Sequence, residues 1–197
     1  MNLNFPTGDT HFKPNAWAEY QLAQYQQLVK HTPRRGLAID CGAHAGIMTR
    51  RMSRDFDQVI SFEPVHHQIL KANTEDLTNV DIKAFGVSDH LGELPCTINR
   101  ENSGDCLIAV DGADQMPVIT IDWLDLPTVD AVKMDIQGSE LSALVGATKT
   151  ITRDHPTLML EIENWDPNRE IILDLLKEWG YVLVFTKNAD TVWRFKG

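Results

Sequence analysis

The sequence predicts an α/β fold built on a mostly parallel sheet with helices on both faces. Short apolar runs typical of buried strands alternate along the chain with segments of helical period. No Gly/Ser/Pro-rich linker, internal repeat or low-complexity tract interrupts this alternation. Because parallel strands are joined by right-handed helical crossovers, the pattern indicates a doubly wound sheet. We expect residues 1–197 to form a single domain.

The chain begins with an irregular segment followed by a helix. Prolines and a glycine break any period over the first 15 residues. Helical spacing of apolar residues then predicts a helix over Ala16–His31. Residues 1–35 are therefore expected to be an N-terminal loop and helix, and residues 36–197 the core.

The core is expected to contain seven strands and four main helices. Asp166 is a predicted N-cap for the last helix, with Pro167 at its first position. The final two strands flank the turn Asn188-Ala-Asp190, which predicts a C-terminal antiparallel hairpin and an antiparallel edge strand. A further β-hairpin is expected within Leu94–Val110. The seven strands are predicted at Leu37–Ile39, Gln58–Phe62, Val80–Val87, Asp130–Met134, Thr157–Ile162, Tyr181–Phe185 and Thr191–Phe195. The helices are predicted from about Ile47 and at His66–Leu77, Ser139–Thr148 and Asn168–Trp179.

The composition excludes some classes of partner. A net charge of −10 argues against nucleic acid and anionic membrane, because binding to phosphates needs clustered Lys and Arg. Three cysteines without C-x-x-C spacing fit a reducing compartment. The sequence shows neither a signal pattern nor a long apolar run, so we expect a cytoplasmic protein. Nothing in it indicates an oligomeric state.

The most informative stretch is the turn after the first strand. Asp40 ends the apolar run, and Gly42 and Gly46 follow in a Gly-x-x-x-Gly turn that leads into a helix. Glycine lets backbone N–H groups approach a ligand, and the helix N-terminus supplies positive potential. A strand-end carboxylate beside such a turn suits a ligand that carries its own ammonium and hydroxyl groups. The stretch therefore predicts an S-adenosylmethionine (SAM) site.

The ends of the next two strands extend the predicted site. Glu63 ends the second strand, and Pro64 marks that end because it cannot extend the ladder. Ligands of open α/β sheets lie beyond the carboxyl ends of the strands, so Glu63 is placed to accept hydrogen bonds from both ribose hydroxyls of an adenosyl group. Val87, Ser88 and Asp89 end the third strand and are expected to border the adenine.

Four motifs resemble the pattern of the FkbM-type family of SAM-dependent methyltransferases. The resemblance implies a Rossmann-like class I methyltransferase fold with SAM as cofactor. It also implies methyl transfer to a hydroxyl oxygen of a carbohydrate or secondary metabolite, so that a small-molecule or glycan hydroxyl is the expected acceptor. In chain order the motifs are Asp40-Cys-Gly-Ala-His-Ala-Gly46, Phe62-Glu-Pro64, Lys133-Met-Asp-Ile-Gln-Gly-Ser-Glu140 and Leu158-Met-Leu-Glu-Ile-Glu163.

Two positions depart from the family pattern. His44 stands where the family has Asn, and Gln137 stands where it has the first Glu of E-G-x-E. His44 still offers a hydrogen-bond donor for the SAM carboxylate, so it stays among the predicted cofactor residues. Gln137 keeps the shape of Glu but not its charge. If the family's acid binds a cation or acts as a base, that role is lost here.

Asp135, at the end of the fourth strand, is the leading candidate for a general base. Methyl transfer from a sulfonium depends mainly on alignment, and a base contributes most when the acceptor is an alcohol. An alternative role for Asp135 is to cap the following helix. Lys133 and Glu140 are the other catalytic candidates. Lys133 is expected to pair with Glu161 or Glu163, and Glu140 to interact with the helix dipole.

Other interpretations remain open from the sequence. Clustered acids at the strand ends would suit Mg²⁺, but spacing alone assigns no metal site. An NAD-dependent oxidoreductase would need Gly-x-Gly-x-x-Gly, and Ala43-His44-Ala45 lacks the central glycine. A SAM-binding protein of the same fold without turnover is the stronger alternative, given His44 and Gln137. His11, Phe12 and the Asn102–Asp105 turn are candidates for covering the substrate.

Overall fold

The computed structural model describes residues 3–9, 18–99, 102–104, 106–108 and 111–197, and in them eleven strands and six α-helices. A 3-10 helix spans Ile121–Leu124. The strands are β1 (Leu37–Cys41), β2 (Gln58–Phe62), β3 (Val80–Lys83), β4 (Gly86–Val87), β5 (Gly92–Ile98), β6 (Cys106–Ile108), β7 (Asp114–Ile119), β8 (Val129–Met134), β9 (Thr157–Glu161), β10 (Tyr181–Lys187) and β11 (Asp190–Phe195). The helices are α1 (Leu22–His31), α2 (Ile47–Asp55), α3 (His67–Asn73), α4 (Glu140–Val145), α5 (Thr148–Asp154) and α6 (Arg169–Glu178).

Seven strands form the main sheet, in the order β10-β11-β9-β8-β1-β2-β3. Strand β3 pairs in parallel with β2, β2 with β1, β1 with β8, and β8 with β9. Strand β11 is antiparallel to both of its neighbours, β9 and β10. The predicted fold class and C-terminal hairpin are therefore confirmed. The edge strand β10 pairs antiparallel with β11, as predicted. Strand β11, which is also antiparallel to β9, lies inside the sheet. Strand order reverses between β1 and β8, where ligands of doubly wound sheets bind.

Helices cover both faces of this sheet. Successive side chains of β1 point to opposite faces, and all five residues of this strand are buried. Leu37, Ile39 and Cys41 point to one face and pack in a cluster that contains residues of α4, α5 and α6. Ala38 points to the other face and packs in a cluster with residues of α1 and α2. Asp40 shares the face of Ala38, so its side chain is directed towards α2.

A second sheet of four strands has the order β4-β7-β5-β6. The predicted hairpin is present in it, with Cys96 opposite Ile108 and Ile98 opposite Cys106. Strand β7 was not predicted from the sequence. It contains Pro117, and proline lacks the N–H that a central strand needs. The short strand β4 pairs only with Val118 and Ile119. Pro117 therefore lies where β7 has a single neighbour.

Two predicted elements are broken where glycine allows close packing. The strand expected over 80–87 divides into β3 and β4, because Gly86 turns into the second sheet. The helix expected over 139–148 divides into α4 and α5 at Gly146. A Cβ at Gly146 would lie 2.0 Å from the backbone oxygen of Ser88, so only glycine permits this approach.

Helix ends differ from expectation at several places. Helix α3 spans His67–Asn73 rather than His66–Leu77. Helix α1 starts at Leu22 rather than Ala16, and residues 16 and 17 lie outside the described residues. The N-cap of α6 is Asn168, whose N–H donates to Oδ1 of Asp166 at 2.8 Å. Pro167 therefore precedes the helix. In the part of the chain that the structure describes, none of the helices has the length and apolarity needed to cross a membrane.

Candidate active site

A cavity of about 340 Å³ opens at the carboxyl ends of the parallel strands, above the point where strand order reverses. The turns after β1, β2 and β8 contribute to its lining, and so do Glu161 at the end of β9 and residues of the second sheet. Of the predicted site residues, seven line it: Gly42, His44, Glu63, Pro64, Val87, Lys133 and Asp135. Asp40, Gly46, Ser88, Asp89 and Glu140 do not belong to the lining.

The glycine turn is shaped by close contact with the end of β8. Gly42 has a φ of +76°, and a Cβ there would lie 2.0 Å from the backbone oxygen of Asp135. Glycine is therefore required so that the turn can pack on the neighbouring strand end. Gly46, with a φ of +88°, precedes the first residue of α2, and a Cβ there would lie 2.8 Å from Leu70 Cδ1.

His44 fits the turn because of its backbone conformation. Its φ is +48°, in the left-handed region where Asn, Asp and His are enriched among residues other than glycine. This explains physically how His can stand where the FkbM pattern has Asn. The ring Nε2 lies 2.7 Å from Ser103 Oγ. Burial lowers the pKa of His44 to about 4, despite the opposing charge of Glu63, so the ring is neutral at pH 7.

Glu63 fixes the turn while it faces the cavity. Its Oε2 accepts from the N–H of His44 at 2.8 Å. Its Oε1 accepts from the N–H groups of Val65 and His66, both at 2.8 Å. A carboxylate oxygen has two lone pairs, so Oε2 retains acceptor capacity for a ligand hydroxyl. Its predicted contact with a ribose stays a prediction.

We expect Glu63→Ala to weaken SAM binding by about 1–3 kcal/mol, because charge-assisted hydrogen bonds to the ligand and to the glycine turn are lost. Isothermal titration calorimetry with SAM measures the effect. Glu75→Ala removes an exposed acid and serves as the matched control, with affinity equal to wild type. Unchanged affinity in Glu63→Ala would exclude Glu63 from the cofactor site.

Lys133 pairs with Asp40 rather than with Glu161 or Glu163, so the expected pairing was wrong. The two residues are neighbours in the β1–β8 register, and Nζ lies 3.2 Å from Asp40 Oδ1. Both side chains are buried, and Thr49 Oγ1 donates to Asp40 Oδ2 at 2.7 Å. Burial opposes the Lys133 charge, but Asp40 and Asp135 outweigh it and raise the pKa of Lys133.

The ammonium of Lys133 also holds the start of the glycine turn. It donates to the backbone oxygens of Cys41 at 3.1 Å and Gly42 at 2.9 Å. Asp40 therefore acts on the turn through Lys133, and the predicted direct contact of Asp40 with a cofactor has no support in its position.

The carboxylate of Asp135 accepts hydrogen bonds from several side chains. Oδ2 accepts from the Tyr20 hydroxyl at 3.2 Å and from the Gln21 amide at 3.0 Å. Oδ1 accepts from the Gln137 amide at 3.2 Å, and Lys133 Nζ lies 4.0 Å from Oδ2. Burial disfavours the charge, but Lys133 and the hydrogen-bond donors outweigh it and lower the pKa of Asp135. The group is thus an anion at neutral pH.

Two glutamines in left-handed conformation join Asp135 to further acids. Gln21, with a φ of +47°, also donates to Asp190 Oδ1 at 2.9 Å. Gln137, with a φ of +57°, also donates to Glu161 Oε2 at 3.2 Å. Left-handed residues other than glycine cost free energy and concentrate at functional sites. Gln137 therefore replaces an acid of the family pattern by a donor that bridges the two carboxyl groups.

Among the acids joined by these glutamines, Glu161 carries a proton at neutral pH. Burial and the charge of Asp135 raise the pKa of Glu161 to about 9, and the two carboxyl groups are hydrogen-bonded. At neutral pH Glu161 is consequently neutral and donates its proton to the Asp135 anion. Opposite shifts in two adjacent carboxyl groups are typical of acid–base sites.

The raised pKa of Glu161 predicts a pH dependence of stability. Between its ordinary pKa near 4.5 and about 9, the folded chain keeps a proton that the unfolded chain has lost. The contribution of Glu161 to the free energy of unfolding therefore falls as the pH rises, by at most about 1.4 kcal/mol per pH unit. We expect urea denaturation at pH 5 and pH 8 to show a smaller fall for Glu161→Gln than for wild type. Equal falls would mean that Glu161 is ionised in the fold.

Glu140 lies at the start of α4, outside the cavity. Its Oε1 accepts from the N–H of Ile136, in the loop before the helix, at 2.9 Å. The N-cap of α4 is Ser139, and no side-chain hydrogen bond from it caps the helix. Burial raises the pKa of Glu140 to about 7. Its predicted catalytic role has no support in this position, whereas its expected place at the helix start is observed.

A cover over the glycine turn comes from two distant segments. Asn102, Ser103 and Gly104 of the predicted turn line the cavity. The hydroxyl of Ser103 donates to the carboxylate of Asp9, which belongs to the N-terminal segment. That segment is anchored by Asn4, whose N–H donates to Asn73 Oδ1 at 2.8 Å. His11, Phe12 and Asp105, also candidates for a cover, lie outside the described residues.

Sequence reasoning missed Tyr20 and Gln21 as site residues. They precede α1 and reach the carboxyl end of β8, more than 110 positions along the chain. No local motif marks them, since only the packing of α1 against the sheet brings them there. Phe85 and Met116, which line the cavity from beside and within the second sheet, were missed for the same reason.

The acids described near the cavity are not grouped as metal ligands. Within the residues that the structure describes, no group of three or more His, Cys, Asp or Glu side chains is arranged to hold a metal ion. Gln137 occupies the place between Asp135 and Glu161 with an amide.

Comparisons with known proteins agree with this architecture. A family model described as "Methyltransferase FkbM domain" matches residues 40–183. A search of curated proteins gave no match. Among solved structures, the chain is similar to methyltransferase FkbM from Methylobacillus flagellatus, at 17% identity and a TM-score of 0.60, over 89% of this chain and 59% of that one.

Two further structures share the fold at low identity. Precorrin-6y C5,15-methyltransferase from Geobacter metallireducens has 12% identity and a TM-score of 0.55, over 96% of both chains. The 1,6-didemethyltoxoflavin-N1-methyltransferase from Burkholderia thailandensis, with bound 1,6-didemethyltoxoflavin and S-adenosylhomocysteine, has 12% identity and a TM-score of 0.54, over 93% of this chain and 82% of that one. At these identities the likeness supports the fold alone.

Proposed function

Because this chain belongs to the FkbM family of SAM-dependent methyltransferases, we propose that it transfers the methyl group of SAM to a hydroxyl oxygen of a carbohydrate or secondary metabolite. The observation that carries the proposal is one cavity shared by Glu63 and the glycine turn at one side and Asp135 at the other. A cofactor-binding carboxylate and an ionised base thereby face the same space.

The residues present fit SAM. Glu63 Oε2 has acceptor capacity for a ribose hydroxyl, and Phe85 and Val87 offer apolar surface for an adenine. The turn Gly42–Gly46 would hold the amino-acid portion, with its position fixed by Lys133. When bound, SAM supplies a methyl group that its sulfonium already activates.

Side chains of the protein would then deprotonate the acceptor hydroxyl. Asp135 would accept the proton of the acceptor hydroxyl, a contribution of about 10²–10⁴-fold to the rate. Tyr20, Gln21 and Gln137 keep its carboxylate oriented, and Lys133 keeps it ionised. Glu161 is already protonated and so serves as a hydrogen-bond donor rather than as the base.

The charge and the thiols support further parts of the proposal. The net charge of −10 favours a neutral small-molecule or glycan acceptor over a nucleic acid or an anionic membrane. Cys41 is a free, buried thiol, which fits a reducing compartment such as the cytoplasm. The chain spans 59% of the length of the FkbM structure from Methylobacillus flagellatus.

Calorimetric titration with SAM and with NAD tests the cofactor, and only SAM should give heat. Radiolabelled methyl transfer to a panel of sugars, phenols and polyketide alcohols then tests turnover, with and without EDTA. Full activity in EDTA is expected, because an amide lies between the acids. SAM binding without transfer to any acceptor would favour a binding protein that lacks turnover, an alternative that Gln137 suggests.

A further inference from the structure

Trp165 is a large aromatic side chain that is exposed to solvent. It lies in the connection between β9 and α6, and 61% of its surface is exposed. Leaving so much apolar surface in water forgoes the free energy that burial of an aromatic side chain supplies. Singly exposed apolar residues are nevertheless common, so exposure by itself assigns no role to Trp165.

The position of Trp165 distinguishes it from other exposed residues. Its six-membered ring packs on Gly138, where a Cβ would lie 3.3 Å from Cη2 and 3.5 Å from Cζ3. Gly138 lies between Gln137 and Ser139, which both line the cavity. The preceding strand end, Glu161, also belongs to the lining. The indole is therefore next to the side of the cavity that holds Asp135 rather than the side that holds Glu63.

The connection that carries Trp165 is held by hydrogen bonds. The N–H of Asp166 donates to the oxygen of Glu163 at 3.3 Å, which closes a turn around Trp165. The N–H of Asn168 donates to Asp166 Oδ1 at 2.8 Å, and that of Arg169 to the Asp166 oxygen at 3.1 Å. A platform on such a turn loses little conformational entropy when a ligand binds.

We propose that Trp165 is a specificity-determining residue that binds the ring face of a cyclic acceptor at the rim of the cavity. The inference rests on the proposed methyl transfer and names the class of its acceptor, a pyranose or an aromatic ring that bears the reacting hydroxyl. Flat apolar ring faces stack on indole, whereas an acyclic polyol presents no such face.

A matched control exists in the same chain. Trp123 is exposed to a similar degree, 63%, but lies on the 3-10 helix. Neither tryptophan is a lining residue, and the contact with Gly138, between the lining residues Gln137 and Ser139, belongs to Trp165. Any general effect of an exposed indole should therefore act on both residues equally.

The first test uses protein labelled with 5-fluorotryptophan and saturated with S-adenosylhomocysteine. Fluorine NMR resonances are assigned with Trp165→Phe and Trp123→Phe. We expect methyl β-D-glucopyranoside, catechol or both to shift the Trp165 resonance and not that of Trp123, and sorbitol to shift neither. Which compound acts distinguishes a sugar from an aromatic ring. Equal shifts at both tryptophans, a shift with sorbitol, or no shift with either ring compound would overturn the proposal.

The second test measures methylation kinetics with the cyclic acceptor that is methylated. Trp165→Ala should raise the acceptor KM about tenfold and change kcat less than twofold, Trp165→Phe should restore most of the loss, and Trp123→Ala should match wild type. Equal KM values in Trp165→Ala and Trp123→Ala would refute the platform. Failure of S-adenosylhomocysteine to bind would instead overturn the proposed function itself, and calorimetry separates the two failures.

Discussion

Asp135→Asn should lower the turnover of methyl transfer by about 10²–10⁴-fold, the usual contribution of a general base. The amide keeps the size of the side chain but cannot take the hydroxyl proton. Affinity for SAM should change little, because Glu63 and the glycine turn remain intact. Radiometric kcat measurements, paired with calorimetric titration of SAM, separate the two effects.

Asp190→Asn is the control for this variant. Asp190 accepts from the same Gln21 amide that binds Asp135, at 2.9 Å, but does not line the cavity. Its loss should therefore leave turnover within a few-fold of wild type. If Asp135→Asn turned over at the wild-type rate, the base assignment would fail and Asp135 would be a structural partner of Lys133.

Lys133→Met should lower the free energy of unfolding by about 3–5 kcal/mol, the cost of leaving a buried charge without its partner. Asp40 is fully buried, and among the residues that the structure describes only Thr49 Oγ1 would still donate to it in this variant. The carbonyl oxygens of Cys41 and Gly42 would lose a donor as well. Urea denaturation at pH 7 measures the change.

Two variants check the origin of that loss. The double variant Asp40→Asn with Lys133→Met removes the uncompensated charge and should regain part of the stability. Lys177→Met breaks an exposed pair with Asp174, where the lysine side chain is 63% exposed, and should cost less than about 1 kcal/mol. A loss for Lys133→Met as small as that for Lys177→Met would contradict the structural role of the buried pair.

The fold and one half of the site could be predicted from local patterns. Short apolar strands, crossover helices and the hairpin turn at Asn188 each depend on residues close in sequence. The same holds for Gly42, Glu63 and Asp135, because each follows directly from the end of a strand. Residues at the carboxyl ends of parallel strands must share one edge of the sheet, so this part of the cavity followed from position in the chain.

The remaining contacts depend on register and distant packing. Lys133 lies beside Asp40 because β1 and β8 are aligned in that register, whereas Glu161 lies two positions beyond Met159, the β9 partner of Lys133. No pattern in the sequence specifies that alignment. Tyr20 and Gln21 reach Asp135 only because α1 packs against the strands near β9 and β11.

By itself, then, the sequence determined the alternation of strands and helices, the glycine turn and the family, since these depend on neighbouring residues and on short motifs. The tertiary structure alone decided that Asp40 neutralises a buried lysine, that Glu161 carries a proton beside Asp135, and that Trp165 packs on Gly138. Each of those properties arises from burial and from charges brought together across strands, which act through space and leave no periodic mark in the chain.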